Sequence, residues 1–92
     1  MNEFFIDSAE EYMQLGQTLE ARGDLQKAET AFLNALRITA GALEKDYDSQ
    51  ILIRAKELCL ILADLNMQQG NMHGADIYYV KAMQYSEKET AL

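Results

Sequence analysis

Residues 16–36 constrain the fold more tightly than any other stretch. Gly16 and Leu19 precede the pair Gly23-Asp24, and Leu25, Ala28, Phe32, Ala35 and Leu36 follow it. Apolar residues three and four apart on each side mark two helical faces. Between them stands a residue that enters the left-handed region at little cost. The segment therefore predicts a helical hairpin broken at Gly23. A weaker copy runs from Leu62 to Met83 around Gly70-Asn71. In it Ala75, Tyr79, Ala82 and Met83 take the places of Ala28, Phe32, Ala35 and Leu36.

The rest of the chain agrees with an all-helical fold. No proline occurs in the 92 residues, so nothing forces a helix to break. No strand-like alternation of useful length is present. The length suits one domain, and a hydrophobic content of 49% is enough to fill its core.

Four helices are predicted. The first runs from Ala9 to about Arg22, with Ser8 as cap and Glu11 completing a capping box. Its apolar stripe is Ala9, Tyr12, Met13, Leu15, Gly16 and Leu19. Asp24 caps the second, which buries Leu25, Ala28, Phe32, Ala35, Leu36, Thr39 and Leu43. Residues 46–49 form the next turn, with Asp48 or Ser49 as cap. The third helix, from about Gln50 to Gln69, is apolar on every side around Leu58-Cys59-Leu60-Ile61-Leu62-Ala63 and belongs at the centre. The fourth follows Asn71, turns Ala75, Tyr78, Tyr79, Ala82 and Met83 inward, and frays from Ser86.

The net charge of −7 argues against nucleic acid and against an anionic membrane surface, both of which need clustered Lys and Arg. Acidic residues concentrate early, at Glu3, Asp7, Glu10, Glu11, Glu20 and Asp24, against Arg22 alone. A single cysteine, Cys59, forbids an internal disulfide. Phe4-Phe5-Ile6 is too short for a signal core, and no segment reaches the roughly 18 apolar residues of a membrane span. A soluble, cytoplasmic protein is the expectation. One histidine, His73, makes no His-based metal site. The oxygens of Asp46, Asp48 and Gln50 alternate as in a calcium loop, but Ile51 stands where the required glycine belongs. No phosphate-binding loop and no nucleophile with a base is found. The expectation is a non-enzyme with no cofactor, no metal and no catalytic residues.

The hairpins resemble the tetratricopeptide repeat family, whose units are helix–turn–helix modules of about 34 residues. In the first unit Tyr12 takes the place of the leading aromatic, Leu15-Gly16 the Leu-Gly pair, and Leu19 the following tyrosine. Gly23 lies at the turn, with Ala28, Phe32 and Ala35 on the second-helix signature and Ala40 in place of the closing proline. In the second unit Leu62-Ala63, Gly70, Ala75, Tyr79 and Ala82 match, while Cys59 and Asn66 replace the two aromatics. Gly23 and Gly70 lie 47 residues apart, which resembles the extended units of kinesin light chains. The resemblance implies a right-handed α-solenoid of two stacked hairpins with the second and third helices lengthened. Those two would project as a hairpin that leaves Ile51, Leu52 and Ile53 in need of cover. The expected layout is one domain over 1–92, with repeats at about 9–40 and 55–87, a connection at 41–54 and a polar tail at 88–92.

The resemblance also implies function. Its register turns Glu10, Met13, Gln17 and Glu20, and Glu57, Leu60, Asp64 and Met67, toward a concave groove that holds a protein segment. The lysine–asparagine clamp with which some members grip carboxy-terminal tails is replaced here by Met13, Gln17, Leu60 and Asp64. An apolar or basic helical segment suits these residues better than an acidic tail. Three roles fit: an adaptor, a self-assembling scaffold, or a chaperone of an aggregation-prone helical subunit, as small proteins of this fold are for type III secretion needle subunits. An apolar face left at each end of a two-hairpin stack implies a homo- or hetero-oligomer.

Overall fold

The computed structural model describes residues 2–91, and the side chains of residues 8–90. The side chains of Phe4-Phe5-Ile6 and the last residue of the polar tail lie outside these. Four helices make up the fold: α1 (Asn2–Ala21), α2 (Leu25–Lys45), α3 (Ser49–Gln68) and α4 (Met72–Ala91). α1 pairs with α2, α3 pairs with α4, and α2 packs on α3, so two antiparallel hairpins stack face to face. No strand occurs among the described residues.

Both tight turns are built alike. At Gly23, with φ +83°, the Asp24 N–H donates to Leu19 O (2.9 Å) and the Gly23 N–H to Glu20 O (2.9 Å). At Gly70, with φ +77°, the Asn71 N–H donates to Asn66 O (2.8 Å) and the Gly70 N–H to Met67 O (3.0 Å). This pair of hydrogen bonds satisfies carbonyls that a helix end otherwise leaves open, and the positive φ of the turn residue selects glycine. At the middle turn the Asp48 carboxylate accepts from the Gln50 N–H at 2.7 Å, as a cap should. Asn71 Oδ1 accepts from the Gly74 N–H at 3.0 Å and caps α4. Asp24 stands at the head of α2, but its carboxylate makes no capping bond.

Three expectations about the helix ends are corrected. Ser8 lies inside α1, which begins at Asn2, so it caps nothing. α4 does not fray at Ser86 but continues to Ala91, its end tied by Glu89 to Lys56 of α3 at 2.7 Å. The second and third helices are long, as expected, but α1 and α4 are equally long at 20 residues each. Hence no hairpin projects alone. Ile51 and Leu52 are buried within the chain, and only Ile53 of the three meets solvent.

The core follows the small-and-large pattern. Ala28, Phe32, Ala35, Leu52, Ala55, Leu58, Cys59 and Leu62 are fully buried in one cluster. α3 carries nine buried residues, as its all-round apolar sequence requires. The predicted stripes of the outer helices are only half covered. Tyr12 and Leu15 of α1, and Tyr79 and Met83 of α4, are exposed. Each outer helix has a neighbour on one side only, so a stripe wider than the contact leaves its far edge in water.

Candidate partner-binding face

The two first helices of the hairpins, α1 and α3, run side by side and are bridged by side chains. Arg54 of α3 ion-pairs with Glu10 of α1 through Nη1, and its Nε lies 3.9 Å from Glu57 Oε2. One helical span further along, Gln68 Nε2 donates to Asp64 Oδ2 (3.0 Å) and to Glu20 Oε2 (3.4 Å). Glu10, Glu20, Glu57 and Asp64 thus form a shared acidic face with Arg54 as the basic residue among them.

The predicted site residues are divided by the structure. Gln17, Glu57, Asp64 and Met67 are exposed, and Glu20 is half-buried beside Gln68. Met13 is withdrawn: it is only 7% exposed, and its sulfur accepts from Arg54 Nη1 at 3.0 Å. The register sets Met13 on the groove side of α1, but Arg54, 41 residues away in sequence, lies over it. Leu60 is exposed, yet it lines a depression between α3 and α4 with Lys56, Tyr79 and Met83.

Sequence reasoning missed Arg54 and Gln68, and placed Ile53 on a projecting hairpin rather than on this face. A signal existed for Ile53 and Arg54. Ile53, Leu60 and Met67 recur every seven residues, with Glu57 and Asp64 between, so one exposed stripe of α3 alternates apolar and acidic side chains. The spacing of Arg54 and Glu57 is that of a helical ion pair.

No cluster of His, Cys, Asp and Glu able to hold a metal occurs among the described residues. Burial pushes the Cys59 thiol up to about 11, with Lys81 pulling weakly the other way. A thiol so protonated is a poor nucleophile. Burial also raises the Tyr78 and Tyr85 phenols, Glu29 and Cys59 adding to the effect at Tyr78. No helix among the described residues is long and apolar enough to cross a membrane.

A family model described as tetratricopeptide repeat matches residues 9–41 and 56–89. The chain belongs to the tetratricopeptide repeat family. Its two matches take in most of each hairpin and leave between them the end of α2, the middle turn and the start of α3. Comparison with curated proteins and with solved structures finds no match. Tetratricopeptide repeats are non-catalytic units that generally mediate protein–protein interaction, so protein partners follow from the family.

Proposed function

We propose that this tetratricopeptide repeat chain is a non-enzymatic interaction module whose α1–α3 face receives a helical or extended partner segment bearing apolar and basic side chains. The observation that carries this reading is the exposed stripe Ile53–Glu57–Leu60–Asp64–Met67 beside Glu20. Apolar anchors flanked by carboxylates suit a segment with lysine or arginine around a hydrophobic ridge. Methionine adds adaptability, since its flexible thioether fits ridges of different shape. Carboxylate tails are disfavoured because Asp64 and Glu57 would repel them. The acidic face of α1 and α3 would also steer a basic partner during encounter.

The test uses two synthetic amphipathic helices with the same leucine ridge, one with lysines and one with glutamates on the polar face. Fluorescence anisotropy should show the lysine helix binding, and binding should weaken as salt rises. Met67→Asp should weaken it at least tenfold with the helical spectrum unchanged, because Met67 is 42% exposed and outside the core. Asp64→Lys should shift preference toward the glutamate helix. Equal binding of both helices, or indifference to Met67→Asp, would overturn the reading.

A further inference from the structure

The two hairpins repeat with a 47-residue offset, and one of them is covered where the other is open. In the first hairpin Ala9, Met13, Phe32, Ala35, Leu36 and Thr39 are all buried, at 7% exposure or less, where α3 lies over it. Adding 47 to each gives Lys56, Leu60, Tyr79, Ala82, Met83 and Ser86. These six together line one groove between α3 and α4. Leu60, Tyr79 and Met83 are exposed there, Met83 to 63%. The groove is thus the same receiving surface that α3 fills on the first hairpin, repeated one unit later and open.

The chain also carries the ridge that such a groove receives. α3 contributes Ala55, Leu58, Cys59 and Leu62 to the core, all fully buried. Subtracting 47 gives Ser8, Glu11, Tyr12 and Leu15 of α1. These four lie together on α1, with Tyr12 and Leu15 exposed, and with Ser8 and Glu11 standing where α3 has Ala55 and Leu58. Groove and ridge therefore stand at opposite ends of one molecule, each the counterpart of a surface already joined inside it.

We propose that a second copy of this chain docks the Tyr12–Leu15 face of its α1 into the α3–α4 groove of the first, continuing the internal stack from molecule to molecule. The contact is head-to-tail: the surfaces differ, so each docked copy presents a fresh groove or a fresh ridge. A third unit's helix in the groove would give the same burial, but the complementary ridge on α1 selects a second copy. Charge opposes the contact, since each chain carries −7. Screening that repulsion favours an apolar contact, so association strengthens with salt. A basic segment on the α1–α3 face shows the opposite salt dependence, which separates the two surfaces experimentally.

Sedimentation velocity of the wild-type chain across concentration, at low and at about 0.5 M salt, reads the assembly. Species larger than 10.4 kDa should grow with concentration and with salt. Met83→Glu and Leu15→Glu should each run as a single 10.4 kDa chain with an unchanged helical spectrum, since both side chains are exposed. The decisive sample is their equimolar mixture. Leu15→Glu keeps an intact groove and Met83→Glu an intact ridge, so the mixture should form a particle of twice the chain mass and grow no further. A wild type that stays single at every concentration and salt would overturn the proposal. So would variants that still assemble, a mixture that stays single, or a closed dimer broken by Met83→Glu and untouched by Leu15→Glu.

Discussion

The Phe32 ring lies on the bare backbone of Gly16: a Cβ built at position 16 would come 2.7 Å from Phe32 Cε2. Phe32 is fully buried and cannot swing away. Alanine at position 16 gains about 1 kcal/mol of helix propensity. Overpacking against a fixed ring costs about 1–3 kcal/mol, so Gly16→Ala should lower the melting temperature. Gly41 provides the control, since nothing lies within 4 Å of a Cβ built there. Gly41→Ala should stabilise α2 by ~0.5–1 kcal/mol. Thermal unfolding of the two variants should therefore move in opposite directions, and a shift of the same sign in both would show that the Gly16–Phe32 contact is not tight.

What the sequence revealed and what it concealed divide along the range of the interactions. Gly23, Gly70 and the Asp48 cap were legible because a turn is decided within a few residues. The crossing of small residues at Ala28 and Ala35 was legible because the spacing of small and large side chains is itself the packing. The start of α1 was not. Ser8 and Glu11 form a plausible capping box, yet a helix that continues upstream satisfies the same N–H groups with its own carbonyls. Nor was the burial of Met13, which depends on Arg54 of another helix. Tyr12, Leu15, Tyr79 and Met83 show the same limit: periodicity identifies an apolar face but not what covers it. At the candidate site the acidic register was legible, while the bridges made by Arg54 and Gln68 depend on two helices lying side by side.

A second polar arrangement locks the Gly70 turn and predicts a strong position effect. Asn66 is 2% exposed; its Nδ2 donates to Leu62 O (2.7 Å) and lies 3.5 Å from Glu29 Oε2, and its Oδ1 accepts from Asn71 Nδ2 (3.0 Å). Asn66→Asp replaces the donor with a carboxylate facing Glu29 and a carbonyl. Burying that charge unpaired should cost about 3 kcal/mol or more at neutral pH in a denaturant titration. The new carboxyl is easier to protonate folded than unfolded, so part of the loss should return as pH falls from neutral toward the ordinary carboxylate range, and no more should return below it. Gly74→Ala should also destabilise, because its Cβ would press on Asn66 Oδ1 and lie 2.6 Å from Asn71 Nδ2.

Cys59 gives a pH prediction with a definite sign. Its folded thiol is pushed up to about 11 by burial, above its ordinary value of 9.0. Between these values the unfolded chain releases the proton and the folded chain keeps it. The thiol's contribution to stability is therefore complete below about pH 9 and is lost as pH rises toward 11. The raised Tyr78 and Tyr85 phenols extend the loss beyond pH 10. Melting temperatures should fall over this window, and Cys59→Ala should remove the first part of the fall. At pH 8 a thiol reagent should label the native protein slowly and the denatured protein at once. Rapid native labelling would mean that the α3 core opens readily.

Arg54 connects the stability of the α1–α3 face to its charge. It pairs with Glu10 and Glu57 in a partly exposed setting, where such pairs contribute ~0.2–1 kcal/mol. Arg54→Gln should thus lower stability only slightly, with some further loss from uncovering Met13. Its effect on binding should be larger. Removing the basic residue among Glu10, Glu20, Glu57 and Asp64 leaves the face more negative, so a lysine-bearing helix should bind several-fold more tightly at low salt. The gain should vanish as salt approaches about 0.5 M, where charges are screened within a few ångströms. Weaker binding at low salt would mean that Arg54 itself contacts the partner. In that case Glu57→Gln, which leaves Arg54 less occupied, should strengthen binding instead of weakening it.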